Sequence, residues 1–163
     1  MLTLLFSTLG TWATPPQQTD KSEAERFVQS LAKIKSDEIS YAYISANMFK
    51  QLFVKTDIDE KVQESIPFIK SLKSLRRFFT DGKQGYEIMK TALQPLLQEK
   101  EEVLGVTLMA SNRDGGGMVA IYSGHENTLV VTDYGNDETI TVVFVAGLSY
   151  DSFLEFDDLD IVF

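Results

Sequence analysis

The chain has 163 residues, of which 44% are apolar and 24% charged, and this composition is typical of one soluble globular domain with a sizeable core. It contains no cysteine, so disulfide bonds, thiol catalysis and thiolate metal sites are excluded. The formal net charge of −9 disfavours binding to nucleic acid or to anionic lipid, because both are negatively charged.

The charge is unevenly distributed along the chain. Residues 61–100 carry 8 basic and 4 acidic side chains, whereas residues 101–163 carry 1 basic and 12 acidic side chains. Two interpretations stay open. The two regions either attract each other or simply present different solvated faces, or the C-terminal region meets a cationic partner.

The first residues form an apolar run, Leu2–Ala13, of signal-peptide length. The run is too short for a transmembrane helix, which needs about 20 apolar residues. Thr11 and Ala13 resemble a cleavage site, and Pro15 and Pro16 would end any helix. Because the first basic residue is Lys21, two alternatives stay open: a start further upstream, or a buried helix.

These observations predict a signal peptide at residues 1–13, a linker at 14–21 and a single domain at 22–163. A cleaved signal peptide implies export, so the expected location is the periplasm or the cell envelope.

Helix and strand patterns alternate in the first part of the domain. Ser22, with Glu25 three places on, has the spacing of a capping box and predicts a helix over residues 23–34. Residues Ile39–Ile44 then alternate as a β-strand does. The period changes at Ser45, which can cap the short helix that carries Met48 and Phe49.

The region from residue 61 to residue 80 is ambiguous, and residues 66–79 fit either a helix or a strand. Arg76 and Arg77 stand beside two phenylalanines, a combination found in nucleic-acid binders, but the net charge argues against that function. The default interpretation is that both arginines lie on the exposed side of an edge strand.

A further helix follows, with Tyr86, Met89, Leu93 and Leu97 on one face. Pro95 is expected to end or kink it near Leu93.

Four strand-like runs close the domain, separated by short turn-rich segments. They are Val103–Ala110, Met118–Ser123, Thr128–Tyr134 and Thr139–Ala146. A last short helix, capped by Ser149, is expected to carry Phe153 and Phe156. The sequence therefore predicts an α+β fold: a largely antiparallel sheet with a C-terminal four-strand meander and helices packed on one face.

No catalytic, cofactor or metal site is predicted. The single histidine, His125, falls in a turn, and Asp114–Gly117 lacks the lysine and the following helix of a phosphate-binding loop. The acidic residues near the C-terminus do not have EF-hand spacing. These residues are Asp151, Glu155, Asp157, Asp158 and Asp160. A hydrolytic carboxylate pair or serine site stays open, but no residues are singled out for it.

The order of the segments resembles an exported bacterial family, domain of unknown function 4252. Two units carry the resemblance. The first is the strand-to-helix unit with Tyr41, Tyr43, Ile44, Ser45 and Met48. The second is the late hydrophobic strand that ends at Gly147 and leads into a short helix, matched by Val145, Gly147, Leu148 and Ser149.

The resemblance implies a small envelope protein of Gram-negative bacteria without established catalytic residues, and it favours a strand at Leu72–Phe79. Many members of the family look like lipoproteins. This chain has no cysteine for lipid attachment, so no stable membrane anchor is expected.

Three functions are therefore considered. The first is a non-enzymatic envelope protein that binds another protein through its sheet face or sheet edge. The second is a hydrolase. The third is a small-ligand binder whose pocket is lined by Tyr41, Tyr43 or Tyr86. No cofactor and no nucleic acid are expected, and the oligomeric state is left undetermined.

Overall fold

The structure is a computed structural model that describes residues 22–54 and 71–151. The helices are α1 (Glu23–Leu31), α2 (Ala46–Val54), α3 (Lys83–Ala92) and α4 (Gln94–Leu97), with one 3-10 turn at Gly135–Asp137. The strands are β1 (Ile39–Ser45), β2 (Ser74–Thr80), β3 (Glu102–Val103), β4 (Val106–Asp114), β5 (Gly117–Ser123), β6 (Asn127–Tyr134) and β7 (Thr139–Ala146).

The seven described strands form one sheet in the order β1-β2-β7-β6-β5-β4-β3. Every neighbouring pair is antiparallel, and β4 to β7 follow one another as a meander. The predicted α+β class, the antiparallel sheet and the C-terminal meander are therefore confirmed.

The main core lies between one face of the sheet, here called the helix face, and helices α1, α3 and α4. Alternate residues of each strand point to this face because successive side chains of a strand project to opposite sides. Each fully buried large apolar side chain stabilises the fold by about 1.5–3 kcal/mol. The helices contribute Ala24, Val28, Leu31, Tyr86, Met89 and Leu96, the junction between α3 and α4 contributes Leu93, and the strands contribute Phe78, Val106, Met118, Ala120, Tyr122, Leu129, Val131, Ile140, Val142 and Phe144.

A smaller cluster lies on the opposite face of the sheet, at the end where β1 leads into α2. Phe49 of α2 packs there with Leu75 of β2 and Val145 of β7. Thus α2 follows β1 directly and covers a different face from the other helices.

The local signals for helix ends work as the sequence predicts. The Ser22 hydroxyl accepts a hydrogen bond from the Glu25 amide (3.1 Å), and the Ser45 hydroxyl accepts one from the Met48 amide (3.3 Å). The break at Pro95 is also confirmed, because α3 ends at Ala92 and α4 begins at Gln94. The first helix stops at Leu31, three residues before the predicted end.

The ambiguous region resolves as a strand wherever the structure describes it, because β2 covers Ser74–Thr80. Its core face carries Phe78, and the sheet pairs it on both sides. The burial of alternate residues on this central strand excludes the helical alternative for them.

One run that the sequence predicts as a single strand forms two strands in the structure. The run Val103–Ala110 breaks at Leu104 and Gly105, which both have positive φ (54° and 67°) and form a tight turn between β3 and β4. A leucine in this conformation costs energy and is rarely expected from sequence. Strand β4 also extends to Asp114, because only Gly115 and Gly116 are needed to reverse the chain.

The predicted signal peptide and linker, residues 55–70, and the acidic residues from Glu155 onward lie outside the described residues. Most of the last predicted helix lies there as well. Within the described part of the chain, no helix is both long and apolar enough to cross a membrane.

Gly147 should be the glycine that tolerates substitution least. It has φ +89°, and a Cβ atom there would lie 2.1 Å from the Ser71 carbonyl oxygen, a backbone atom that cannot move away cheaply. We expect Gly147→Ala to lower the free energy of unfolding by about 3 kcal/mol or more, measured by urea denaturation.

Gly115→Ala is the matched control, since Gly115 also has positive φ (+54°) but a Cβ atom there would meet no other atom within 4 Å. It should cost only about 1 kcal/mol. Equal losses for both variants would show that conformation, and not the close contact, determines the effect.

Tyr122 should stabilise the packing of α4 through a buried hydrogen bond. Its ring is fully buried, and its hydroxyl donates to the Leu96 carbonyl (2.6 Å). Tyr122→Phe removes this hydrogen bond, while the Leu96 carbonyl keeps the bond from the Glu99 amide (3.2 Å). The free energy of unfolding should therefore fall by about 0.5–1.5 kcal/mol, the net value of one hydrogen bond. The exposed Tyr134 provides the control: Tyr134→Phe should change stability by less than about 0.5 kcal/mol in the same assay.

Candidate protein-docking edge at strand β1

Strand β1 forms one end of the sheet and is held by β2 alone among the described strands. Such an edge presents backbone donors and acceptors that a further strand can use. Its seven residues, ISYAYIS, include no charged side chain and no proline. The usual devices that protect an edge from pairing are therefore missing from β1 itself.

Two hydrogen bonds define which residues of β1 face β2. The Ala46 amide donates to the Lys73 carbonyl (3.1 Å), and the Asp81 amide donates to the Glu38 carbonyl (2.8 Å). Hydrogen-bonded and non-hydrogen-bonded pairs alternate along an antiparallel ladder. The even-numbered residues of β1 therefore direct their backbone groups toward β2.

It follows that Tyr41 and Tyr43 direct their backbone N–H and C=O groups away from the sheet. Their side chains lie on the helix face and are exposed by 42% and 44%. These two residues thus present outward backbone N–H and C=O groups and exposed aromatic rings at the same place.

The two rings belong to a cluster organised by Arg76, here called the tyrosine–arginine cluster (Tyr41, Tyr43 and Arg76). Tyr41 stacks on the buried Phe78, with ring centroids 4.8 Å apart. The Arg76 guanidinium lies 4.5 Å from the centre of the Tyr43 ring and donates through Nη1 to the Tyr41 hydroxyl (2.8 Å). The core therefore holds one ring, and the arginine connects it to the other.

The other end of the sheet, in contrast to β1, is protected from pairing. Strand β3 covers only Val106 and Thr107 of β4. Beyond them β4 is irregular between Leu108 and Ala110 and ends in charged residues, of which Arg113 forms an ion pair with Glu99 (2.6 Å). Irregularity and charge are devices that discourage pairing. Of the two ends, β1 is the one suited to accept a strand.

Tyr86, the third tyrosine proposed for a pocket, lies elsewhere. It is 4% exposed in the main core, where its hydroxyl donates to Asp133 (3.1 Å) and accepts from Lys90 (2.8 Å). The hydrogen bond to Tyr86 raises the pKa of Lys90. The structure brings Tyr41 and Tyr43 together through Arg76, and Tyr86 contacts a different set of residues.

The sequence predicts that Arg76 and Arg77 both lie on the exposed side of an edge strand, and this prediction is wrong, because β2 is paired on both sides and the two arginines face opposite sides of the sheet. The signal that distinguishes Arg76 from Arg77 is parity: Arg76 is two residues from Phe78 and shares its face, whereas Arg77 points to the opposite side. The alternation of side chains separates the two arginines only in a strand, and the sequence of this segment fits a helix as well.

The glycine-rich segment is a hairpin turn. Gly115 and Gly116 both have positive φ (54° and 98°), as a two-residue hairpin requires, and Asp114 pairs with Gly117. A surface pocket of about 320 Å³ lies beside it, lined by Asn112, Tyr134 and Asn136 among others. The hairpin turn accounts for the glycines, so no bound phosphate is needed to explain them.

The remaining candidates offer little chemistry. His125 is exposed in the bend between β5 and β6. Within residues 22–54 and 71–151, no group of three or more histidine, aspartate or glutamate side chains is placed to hold a metal ion.

Comparison with known proteins gives a family and no individual relative. No curated protein and no solved structure matches the chain. The sequence profile of a domain of unknown function, DUF4252, matches residues 29–151, a range that begins within α1 and includes every described strand. The chain therefore belongs to the DUF4252 family.

Proposed function

We propose that this chain is an exported protein of the bacterial cell envelope that acts without catalysis, by binding another protein. The observation that carries the proposal is the open edge of β1, where Tyr41 and Tyr43 combine outward backbone groups with exposed rings. Addition of a strand to such an edge is a common way for a domain to bind an extended segment.

Three properties of the edge support this function. The aromatic rings supply apolar contact area at low conformational cost, and tyrosine is enriched at protein interfaces. The stack of Tyr41 on Phe78 fixes one of the rings in advance. The strand itself carries no charge, so a partner would not have to remove water from ions along it.

Export is supported by the apolar run Leu2–Ala13, which precedes the matched domain. A small-ligand function is the second candidate, and the pocket of about 320 Å³ beside the β4–β5 turn favours it. Its volume lies at the lower limit of known ligand sites.

The edge can be tested in the bacterial cell with a photo-crosslinking residue in place of Tyr41. We expect a crosslinked product of defined mass, and no such product when the same residue replaces Met109, which is similarly exposed on β4 (45%). Tyr43→Pro should then reduce crosslinking from position 41 roughly tenfold, since it removes an outward N–H and blocks strand pairing.

Tyr43→Ala is the matched control for the proline. It removes the same ring but keeps the N–H, so its effect should be clearly smaller, and both variants should keep the thermal unfolding temperature within a few degrees. If proline and alanine have equal effects, strand addition is wrong. If position 109 crosslinks as well as position 41, the edge is not the docking surface.

Export makes a separate prediction about the mature protein. Fractionation and intact-mass measurement should find a product in the periplasm or medium, cleaved close to Ala13 because small residues precede that bond. A cytoplasmic protein that retains Met1 would contradict export and leave the binding edge to be tested on its own.

A further inference from the structure

We infer that the segment accepted by β1 is acidic at one position, and that its carboxylate binds the guanidinium of Arg76. This inference rests on the proposed function, because it names the chemistry of the partner that the β1 edge would accept.

The first argument is the charge of Arg76. Three other cations of the described part of the chain have carboxylate partners: Lys73 pairs with Glu126, Lys83 with Glu138 and Arg113 with Glu99. Among the described residues no carboxylate pairs with Arg76, and its buried Nε–H has no acceptor. In the described part of a protein of net charge −9, the open edge thus carries a cation that has no carboxylate partner.

The second argument is position. Arg76 belongs to β2, but its guanidinium lies over the ring of Tyr43, which belongs to β1. The guanidinium therefore lies against a ring of the edge strand, on the same face of the sheet. A strand added to β1 would lie one strand spacing, ~4.8 Å, beyond Tyr43, a distance that an aspartate or glutamate side chain can span from that face.

The third argument is hydrogen bonding. The Tyr41 hydroxyl accepts a hydrogen bond from Arg76, and a phenol that accepts one bond still has its own proton to donate. The cluster can therefore offer a carboxylate the guanidinium and the Tyr41 O–H together. Charge-assisted bonds of this kind are the stronger class of hydrogen bond.

A carboxylate fits better than the phosphates of a nucleic acid. Nucleic-acid binding uses a stripe of several basic residues, whereas the tyrosine–arginine cluster has a single cation on an acidic protein. One local cation beside an open strand edge matches one acidic side chain on an extended peptide.

The test is a selection with a displayed library of random linear peptides of about ten residues, using the purified protein. We expect the bound peptides to be enriched in aspartate or glutamate at one position. For a selected peptide, Arg76→Gln should weaken binding roughly tenfold, and so should glutamate-to-glutamine exchange in the peptide. The two changes together should cost little more than either alone, because they break the same interaction.

Arg77→Gln is the matched control, since Arg77 carries the same charge on the adjacent residue but projects from the opposite face. It should leave binding within about twofold. The peptide exchange needs no change in the protein, so the inference stays testable even if Arg76→Gln disturbs folding. Binding to the wild-type protein should weaken with added salt, and binding to Arg76→Gln should depend on salt much less.

The outcomes separate the two proposals. Selected peptides that require an intact Tyr43 N–H but show no acidic preference would overturn this inference and leave the proposed function standing. No selected peptide at all would contradict both. Equal losses for Arg76→Gln and Arg77→Gln would show that the effect depends on overall charge and would overturn the inference.

Two further outcomes would identify a different occupant of the β1 edge, and either would overturn the inference. A dimer that Tyr43→Pro dissociates would identify a second copy of the chain. A nucleic acid that competes with the selected peptide would identify a nucleic-acid ligand.

Discussion

The pairing of β2 with β7 holds the two parts of the sheet together. It joins a segment from the first half of the chain to the last strand of the meander, over the register from Ser74 opposite Ala146 to Phe79 opposite Thr141. Additional bonds extend both ends: the Lys73 amide donates to the Ala146 carbonyl (2.8 Å), and the Ile140 amide donates to the buried Thr80 hydroxyl (2.8 Å). Without this long-range pairing the meander would end at β7.

The position of β1 depends on that pairing, because β1 pairs only with β2 among the described strands. The register of β1 on β2 then determines two properties at once. It decides that Tyr41 and Tyr43 face the helix side, and it decides that their backbone groups point outward. A shift by one residue would move both rings to the opposite face and exchange the outward groups. The candidate docking edge is thus a consequence of register.

Much of the fold could be predicted from local sequence because its signals are local. The strands of the meander alternate over short runs between turn residues, and the serines that cap α1 and α2 act within three residues. The segment that became β2 was ambiguous, because its apolar spacing fits both periods and only pairing on both sides decides between them. The left-handed Leu104 gave no local signal, since leucine disfavours that conformation.

The candidate site was less predictable, because it consists of relations between strands. Sequence could propose Tyr41 and Tyr43 as neighbours two residues apart on one strand. It could not place Arg76 between them, which requires the β1–β2 register, or assign Tyr86 to the core. Nor could it show that β1 ends the sheet, since strand order is set by pairing across the whole domain.

The two ends of the sheet make the open edge informative. An unprotected edge is a liability, because it can pair with any exposed strand and lead to aggregation. At the far end of the sheet, β3, an irregular stretch of β4 and the Arg113–Glu99 ion pair reduce that risk. The hydrogen bond from Arg113 lowers the pKa of Glu99. The same domain leaves β1 uncharged and sets exposed rings beside it. Protection is present where the sheet ends at β3 and β4, whereas none of these devices lies on β1 itself, and the proposed docking function accounts for this difference between the two described ends of the sheet.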